Sequence, residues 1–312
     1  MHPSPQLLIF LDGVGIGPSD PDRNPFLQAD LPTLRDLLDG HLPTLNDPAP
    51  RGARAQVFPL DATLGTPGTP QSGTGQVSLL TGWNAARIFG RHFGPWTPVQ
   101  LRPVLKDGSV LARARRAGLP AAFANAYPRG YLESPRGRRP AAPPLAAAAA
   151  GLLVRHHEAL GVGEAVASEI ENTGWRRHLG FAELPDVSPQ EAGRNLGRIA
   201  SDHAFSLYAH YATDIAGHRL GMKGSKRSLE RVDAFLEGVL ETFPPDGGLV
   251  IASDHGNVED VTGGHTRNPA LGVFVGSAAE VARTLRPTSI TDVPAVLGLP
   301  PESPAPPESG ER

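Results

Sequence analysis

Four short apolar runs constrain what this chain can fold into: residues 7–11 (LLIFL), 205–211 (FSLYAHY), 249–252 (LVIA) and 271–275 (LGVFV). They are continuous rather than alternating, as expected of strands buried on both faces. The first ends in Asp-Gly-Val-Gly, the second runs into TDIAGH, and the third runs into SDHGN. Between the second and third, residues 225–243 place Leu229, Val232, Phe235, Leu236, Val239 and Leu240 on one helical face, with Ser225 as the expected cap. Strand, helix, strand predicts an α/β fold with a mostly parallel central sheet flanked by helices. Ligands of such sheets gather beyond the carboxyl ends of the strands, where the polar clusters of this sequence fall.

Composition narrows the chemistry. A chain of 312 residues can bury a sizeable core and form two compact units. It has no cysteine, so disulfides, thiolate metal sites and a cysteine nucleophile are excluded, and a metal would be held by His, carboxylate or hydroxyl groups. Twenty-nine basic and 32 acidic residues leave a net charge of −3, with no long-range pull toward nucleic acid or an anionic membrane. The opening MHPSPQLLIFLDGVG has no basic leader, and its apolar run is far short of the roughly 20 residues that span a bilayer. A soluble, cytoplasmic protein is expected.

The middle of the chain reads differently. Residues 87–198 contain GPWTPVQLRPVL, SPRGRRPAAPP, an Ala-rich LAAAAAGLLVRHH and ENTGWRRHLGF. This stretch is expected to form an inserted α+β cap domain on a catalytic core made of residues 1–86 and 199–300. The Pro-, Glu- and Ser-rich residues 301–312 are expected to be a disordered tail.

Metal-ligating residue types stand in four separated segments: Asp12 in FLDGVG, Asp214 and His218 in TDIAGH, Asp254 and His255 in ASDHGN, and His265 in GGHTRN. Singly, an Asp-Gly is an ordinary turn and an Asp-His pair an ordinary helix cap. Together, the strand ends would gather three carboxylates on one sheet edge, an arrangement that repels itself without a cation. Carboxylate and imidazole donors without thiolate suit Mn²⁺ or Zn²⁺. So many ligands exceed what one tetrahedral ion needs, and two divalent ions are expected.

A further stretch, TPGTPQSGTGQVSLLTG at 66–82, crowds Thr69, Ser72 and Thr74 before an apolar helix-like run. With it the chain resembles the alkaline phosphatase superfamily of two-metal enzymes, in the branch of cofactor-independent phosphoglycerate mutase and phosphopentomutase. The order of motifs is similar: a DG turn, a nucleophile segment, an inserted cap, DxxGH, SDHGN and GGHT. The closing SITDVPAVLGL is similar to that family's final helix. The resemblance covers about residues 5–86 and 200–298 and is weak across the cap.

The resemblance implies an alkaline-phosphatase-like core with one metal on Asp214, His218 and His265 and another on Asp12, Ser72, Asp254 and His255, Ser72 being the nucleophile. Gly73 and Gly75 are expected to let the backbone approach a phosphoryl group, with the first helix amides facing the anion. Thr74 is expected to cap that helix. Related mutases carry Gly-His where this chain has Gly75-Gln76, a departure from mutase chemistry.

Arg87, Arg91 and His92 are candidates to clamp a substrate phosphate, against the alternative of a solvated basic surface. Asn125, near Tyr127, is a candidate for sugar or base recognition, against a buried turn. His156 and His157 are read as partner-facing or solvated on an Ala- and Leu-rich helix, and Asp233 as a surface charge. The expected activity is metal-dependent phosphatase or phosphotransferase action on a small phosphate ester through a phosphoserine. The alternatives are a phosphosugar or phosphoglycerate mutase and a noncatalytic metal-binding protein.

Overall fold

The computed structural model describes residues 4–301. The four apolar runs form strands, and two more complete a six-stranded sheet: β1 Gln6–Leu11, β2 Ala55–Leu60, β3 Ala121–Phe123, β4 Phe205–His210, β5 Gly248–Ser253 and β6 Ala270–Gly276. Their spatial order is β2-β6-β5-β1-β4-β3. β1 lies between β4 and β5 and is parallel to both, and β3 is parallel to β4. Only β6 runs against its neighbours, antiparallel to β5 and β2. The mostly parallel α/β sheet expected from the sequence is therefore present.

Burial on both faces explains the continuous apolar runs. Leu7, Ile9 and Leu11 pack with Tyr208, Leu249 and Ile251 beneath Leu229, Phe235 and Leu236. Leu8 and Phe10 point the other way, with Leu207 and Val250, toward Val77 and Leu80. Each such side chain contributes on the order of 1.5–3 kcal/mol when fully buried. The helices Pro189–Ser201 and Gly221–Thr242 cover the first face, and Ser72–Thr81, Arg102–Gly108, Ala142–Ala149 and Ser277–Leu285 cover the second.

Several expectations are corrected. The long helix begins at Gly221, so Ser225 is buried within it rather than capping it. Asp233 is not a surface charge: it is buried and accepts the Thr33 and Leu34 N–H groups at 3.0 and 2.8 Å. These are the unpaired first amides of the helix Pro32–Leu37, whose preceding Leu31 has no side-chain oxygen to offer them. Burial raises the Asp233 pKa against those bonds.

Residues 87–198 are woven into the core. They supply the edge strand β3, and the helices Arg102–Gly108, Val110–Arg116 and Ala142–Ala149 share one apolar cluster with Leu8, Phe10 and Val77. A separate small cluster of Ala126, Leu160, Ala165, Ala167, Trp175 and Leu184 is the part of this stretch with a core of its own. His156 and His157 lie beyond the Ala-rich helix: His156 Nδ1 donates to the Tyr127 carbonyl at 2.8 Å and His157 stacks on Phe181. The tail expected over 301–312 lies outside the described residues except for Pro301. Among the described residues no helix is long and apolar enough to cross a membrane.

Candidate metal centre

The sheet sets the spacing of the first ligand candidates. Leu11 ends β1 and pairs with Ser253, which ends β5, so Asp12 and Asp254 emerge side by side. The Asp12 N–H still donates to the His210 carbonyl at 2.9 Å, and Thr213 Oγ1 donates to the Asp12 carbonyl at 2.6 Å. Asp214 and His218 follow β4 on the helix Ala212–Arg219, one turn apart and on one face. His265 stands in the segment joining β5 to β6.

These residues fall into two groups, Asp12–Asp254–His255 and Asp214–His218–His265, each offering ligand atoms within 4.8 Å of one another. In the first, His255 Nε2 lies 3.4 Å from Asp12 Oδ1 and 3.6 Å from Asp254 Oδ2. In the second, Asp214 Oδ1 lies 3.3 Å from His265 Nε2 and Asp214 Oδ2 lies 3.5 Å from His218 Nε2. The first group is buried and the second partly open, with the His218 side chain 41% exposed. The His255 and His265 rings are 4.0 Å apart, so the groups adjoin.

The donors fit a divalent cation. Asp12 Oδ1, Asp254 Oδ2 and His265 Nε2 are buried and make no hydrogen bond, a condition costing about 1–3 kcal/mol for a buried polar group and more for a charged one. His255 Nδ1 donates to the Gly256 carbonyl at 3.3 Å and His265 Nδ1 to the Pro70 carbonyl at 3.1 Å. A carbonyl only accepts, so each ring keeps a proton on Nδ1 and turns Nε2 toward the carboxylates, as metal-ligating histidines do.

The electrostatics agree. Burial raises the Asp12 carboxyl and drives that of Asp254 well above the usual range. Burial opposes a charge on His255, but Asp254 and Asp12 outweigh it and push the imidazole up to about 10. Burial likewise opposes ionisation of Asp214, but the adjacent His265 imidazole, the charge of His255 and the Asn257 amide bring it down to about 2. The pocket gathers positive charge, and a proton and a divalent cation compete for Nε2 of His255.

Ser72 begins the helix Ser72–Thr81, and its Oγ lies 2.9 Å from His255 Nε2. Its neighbours differ from expectation. The space beside Gly73 and Gly75 is taken by protein: a Cβ at Gly73 would stand 2.1 Å from the Trp96 carbonyl oxygen, and one at Gly75 2.8 Å from that of Asp254. Thr74 caps nothing. Its N–H, expected to face an anion, donates to the Phe93 carbonyl at 3.0 Å, and its Oγ1 accepts the Phe93 N–H at 3.2 Å. Gln76 donates Nε2 to Asp12 Oδ2 at 3.2 Å and accepts the Ala142 N–H on Oε1 at 3.0 Å, leaving Asp12 Oδ1 to face His255.

The outer candidates divide. Asp214, His218 and His265 line a cleft of about 660 Å³ whose wall includes Thr69, Gln71 and Gly94. The same three wall residues line a neighbouring depression with Arg91 and His92, which brings Arg91 beside the site. His92 Nε2 lies 3.2 and 3.3 Å from the Thr63 and Thr66 carbonyls, and burial lowers its pKa, so it braces that loop. Arg87 is exposed and lines neither cleft. Asn125 is spent on the sheet, donating Nδ2 to the Ala209 carbonyl and accepting the Ala209 N–H on Oδ1, both at 2.8 Å. It is completely buried there and offers no amide to a substrate.

Sequence reasoning missed Asn257 and Glu259. Asn257 Nδ2 donates to Asp214 Oδ1 at 2.6 Å and to the Asp214 carbonyl at 3.1 Å. Glu259 is fully buried beneath both groups. Both belong to SDHGNVED, the stretch that already supplied Asp254 and His255.

Residues 185–296 match the family model described as the Metalloenzyme superfamily, a span that includes Asp214, His218, Asp254, His255 and His265. No curated protein sequence matches the chain. Among solved structures, the PH0037 protein from Pyrococcus horikoshii is similar over 98% of this chain and 100% of its own, with 13% identity and a TM-score of 0.58. That likeness shows the fold. Alkaline phosphatase from the Antarctic bacterium TAB5 is similar over 94% of this chain and 97% of its own, at 10% identity and a TM-score of 0.47. Phosphonoacetate hydrolase from Sinorhizobium meliloti 1021 is similar over 81% of this chain and 56% of its own, at 16% identity and a TM-score of 0.42.

Proposed function

We propose that the chain, whose residues 185–296 match the Metalloenzyme superfamily model, is a two-metal phosphoryl-transfer enzyme with Ser72 as nucleophile. One ion would be held by Asp12, Ser72, Asp254 and His255, the other by Asp214, His218 and His265. What supports this most is the 2.9 Å separation of Ser72 Oγ from His255 Nε2, which puts a buried alcohol inside a buried ligand group. Bound divalent ions supply acidification of the Ser72 hydroxyl and neutralisation of charge on the phosphoryl oxygens.

The chain's own residues do the rest. Gln76 holds Asp12 on one oxygen, so the other is turned to the ligand group. Asn257 fixes Asp214 through Oδ1, with Oδ2 left toward His218. The Ser72 hydroxyl gives its proton to solvent, its Oγ attacks phosphorus, the bond from phosphorus to the ester oxygen breaks, and the leaving alkoxide takes a proton from water. Water then attacks the phosphoserine, the bond from phosphorus to Oγ breaks, Oγ takes a proton from that water, and inorganic phosphate leaves.

The open second group favours hydrolysis over return of the phosphoryl group to the same substrate. His218 is 41% exposed and lines the 660 Å³ cleft, so water reaches this group, whereas a mutase must exclude it. Arg219 and Ile215 line the same cleft and Arg91 the adjoining one, which suits a small anionic ester with an apolar or sugar portion.

Screening sugar phosphates, nucleotides and phosphoglycerates with Mn²⁺ and Zn²⁺ tests the reading, scoring free phosphate against isomerised product. Release of phosphate that disappears in Ser72→Ala is expected, with a fall of about 10³-fold or more. Undiminished hydrolysis in that variant would remove Ser72 from its role. Isomerised product would make the protein a mutase, and no turnover of any ester would favour the noncatalytic alternative.

A further inference from the structure

We propose that Glu259 is a positioning residue whose carboxylate holds three chain segments at the separation the two ligand groups need. The inference rests on the two-metal reading above. Glu259 Oε2 accepts the Gly15 N–H at 2.9 Å and the Asn257 N–H at 2.7 Å. Its Oε1 accepts the Thr266 hydroxyl at 2.6 Å and the Asn268 amide at 3.1 Å. All four donors are uncharged, and they occupy both oxygens of a completely buried side chain.

Each donor belongs to a segment that carries ligands. Gly15 follows Asp12 in the turn after β1. Asn257 follows His255 and itself bonds Asp214. Thr266 follows His265, and its N–H donates to the Gly256 carbonyl at 3.0 Å. The backbone closes on the carboxylate as far as sterics allow: a Cβ at Gly15 or at Gly256 would stand 2.5 or 2.4 Å from Glu259 Oε1. One buried side chain therefore ties the Asp12 turn, the Asp254–His255 turn and the His265 loop together. Loss of a group that orients metal ligands typically costs about 10- to 100-fold in metal affinity.

The amide isostere exposes the role. A glutamine has one acceptor oxygen, so either orientation turns an NH₂ group toward two donors. Glu259→Gln thus keeps the volume but cannot keep the four bonds. The test is titration of the full chain with Co²⁺, followed by visible absorption and by bound metal per chain, with circular dichroism confirming folding.

Glu259→Gln is expected to weaken Co²⁺ binding about 10- to 100-fold and to shift the visible bands. Thr266→Val removes one donor only and should move both readouts the same way, by less. Phe235→Leu, on the buried face of the helix Gly221–Thr242, should lower thermal stability and leave the Co²⁺ titration and bands in place. Folded Glu259→Gln or Thr266→Val protein with the wild-type titration and spectrum overturns the proposal, as does an equal shift in Phe235→Leu. If Glu259→Gln does not fold, Thr266→Val decides. Wild-type protein that binds no Co²⁺ would overturn the metal reading itself, a result distinct from wild-type binding with unaltered variants.

Discussion

His255 Nε2 is shared by three oxygens: Ser72 Oγ at 2.9 Å, Asp12 Oδ1 at 3.4 Å and Asp254 Oδ2 at 3.6 Å. An imidazole can satisfy one such neighbour through that nitrogen, whereas a cation among them satisfies all four atoms at once. Metal removal should therefore loosen the fold as well as stop turnover. We expect chelation to lower the melting temperature and Mn²⁺ or Zn²⁺ to restore it in a concentration-dependent way. At a metal concentration a hundredfold above Kd the gain is about 2.7 kcal/mol. Scanning calorimetry with and without chelator checks this, and an unchanged transition would count against metal in the buried group.

Gln76 bridges Asp12 Oδ2 and the Ala142 N–H. Gln76→Leu leaves a buried oxygen and a buried N–H without partners, each worth about 1–3 kcal/mol. A stability loss of about 2–5 kcal/mol is expected by urea denaturation, together with weaker metal binding because Asp12 loses its fixed orientation. Loss of stability without loss of metal affinity would show that Gln76 serves only to anchor the Ala142–Ala149 helix.

Asn125 extends the edge pairing of β3 with β4 through its side chain. Asn125→Ala should cost about 2–4 kcal/mol through two lost buried hydrogen bonds, with KM for any accepted ester unchanged. A raised KM at unchanged stability would return this residue to the substrate site.

His210 is buried, donates Nδ1 to the Ser168 carbonyl at 2.9 Å, and has its pKa lowered by that burial to about 4. The unfolded imidazole titrates near about 6.5, so between that pH and about 4 the unfolded chain binds the extra proton. Stability is complete above the upper value and declines as pH falls, by about 2–3 kcal/mol at pH about 4.5. His210→Asn, which can still donate to Ser168, should flatten that part of the profile. Urea midpoints near neutral pH and near pH about 4.5, both proteins in chelator, make the comparison; parallel curves would refute the assignment.

Much of the frame was legible before the structure because parallel strands buried on both faces cannot hide their composition. LLIFL, FSLYAHY, LVIA and LGVFV each became a strand within a residue or two of their apolar limits. β2 and β3 were not legible for physical reasons. β2 is an edge strand containing Pro59, tolerated there because an edge has amides that need no partner. β3 is three residues long, too short to show any period. The acidic and imidazole residues that form the two groups were recognisable by type and by place after strands. Asp233, Asn125 and Gln76 were misread or unread because their roles depend on partners 64 to 200 residues away, with no local pattern to betray them.

The pairing of Leu11 with Ser253 and with His210 makes the strand ladder a ruler for the chemistry at its end. Neighbouring strands stand about 4.8 Å apart whatever their side chains, so the interval between the two first carboxylates is set by backbone alone. Loops beyond the sheet can change length without disturbing it. A single residue inserted within Gln6–Leu11 cannot be absorbed so easily, because it would swing Asp12 to the other side of the sheet and carry the apolar face of the strand with it.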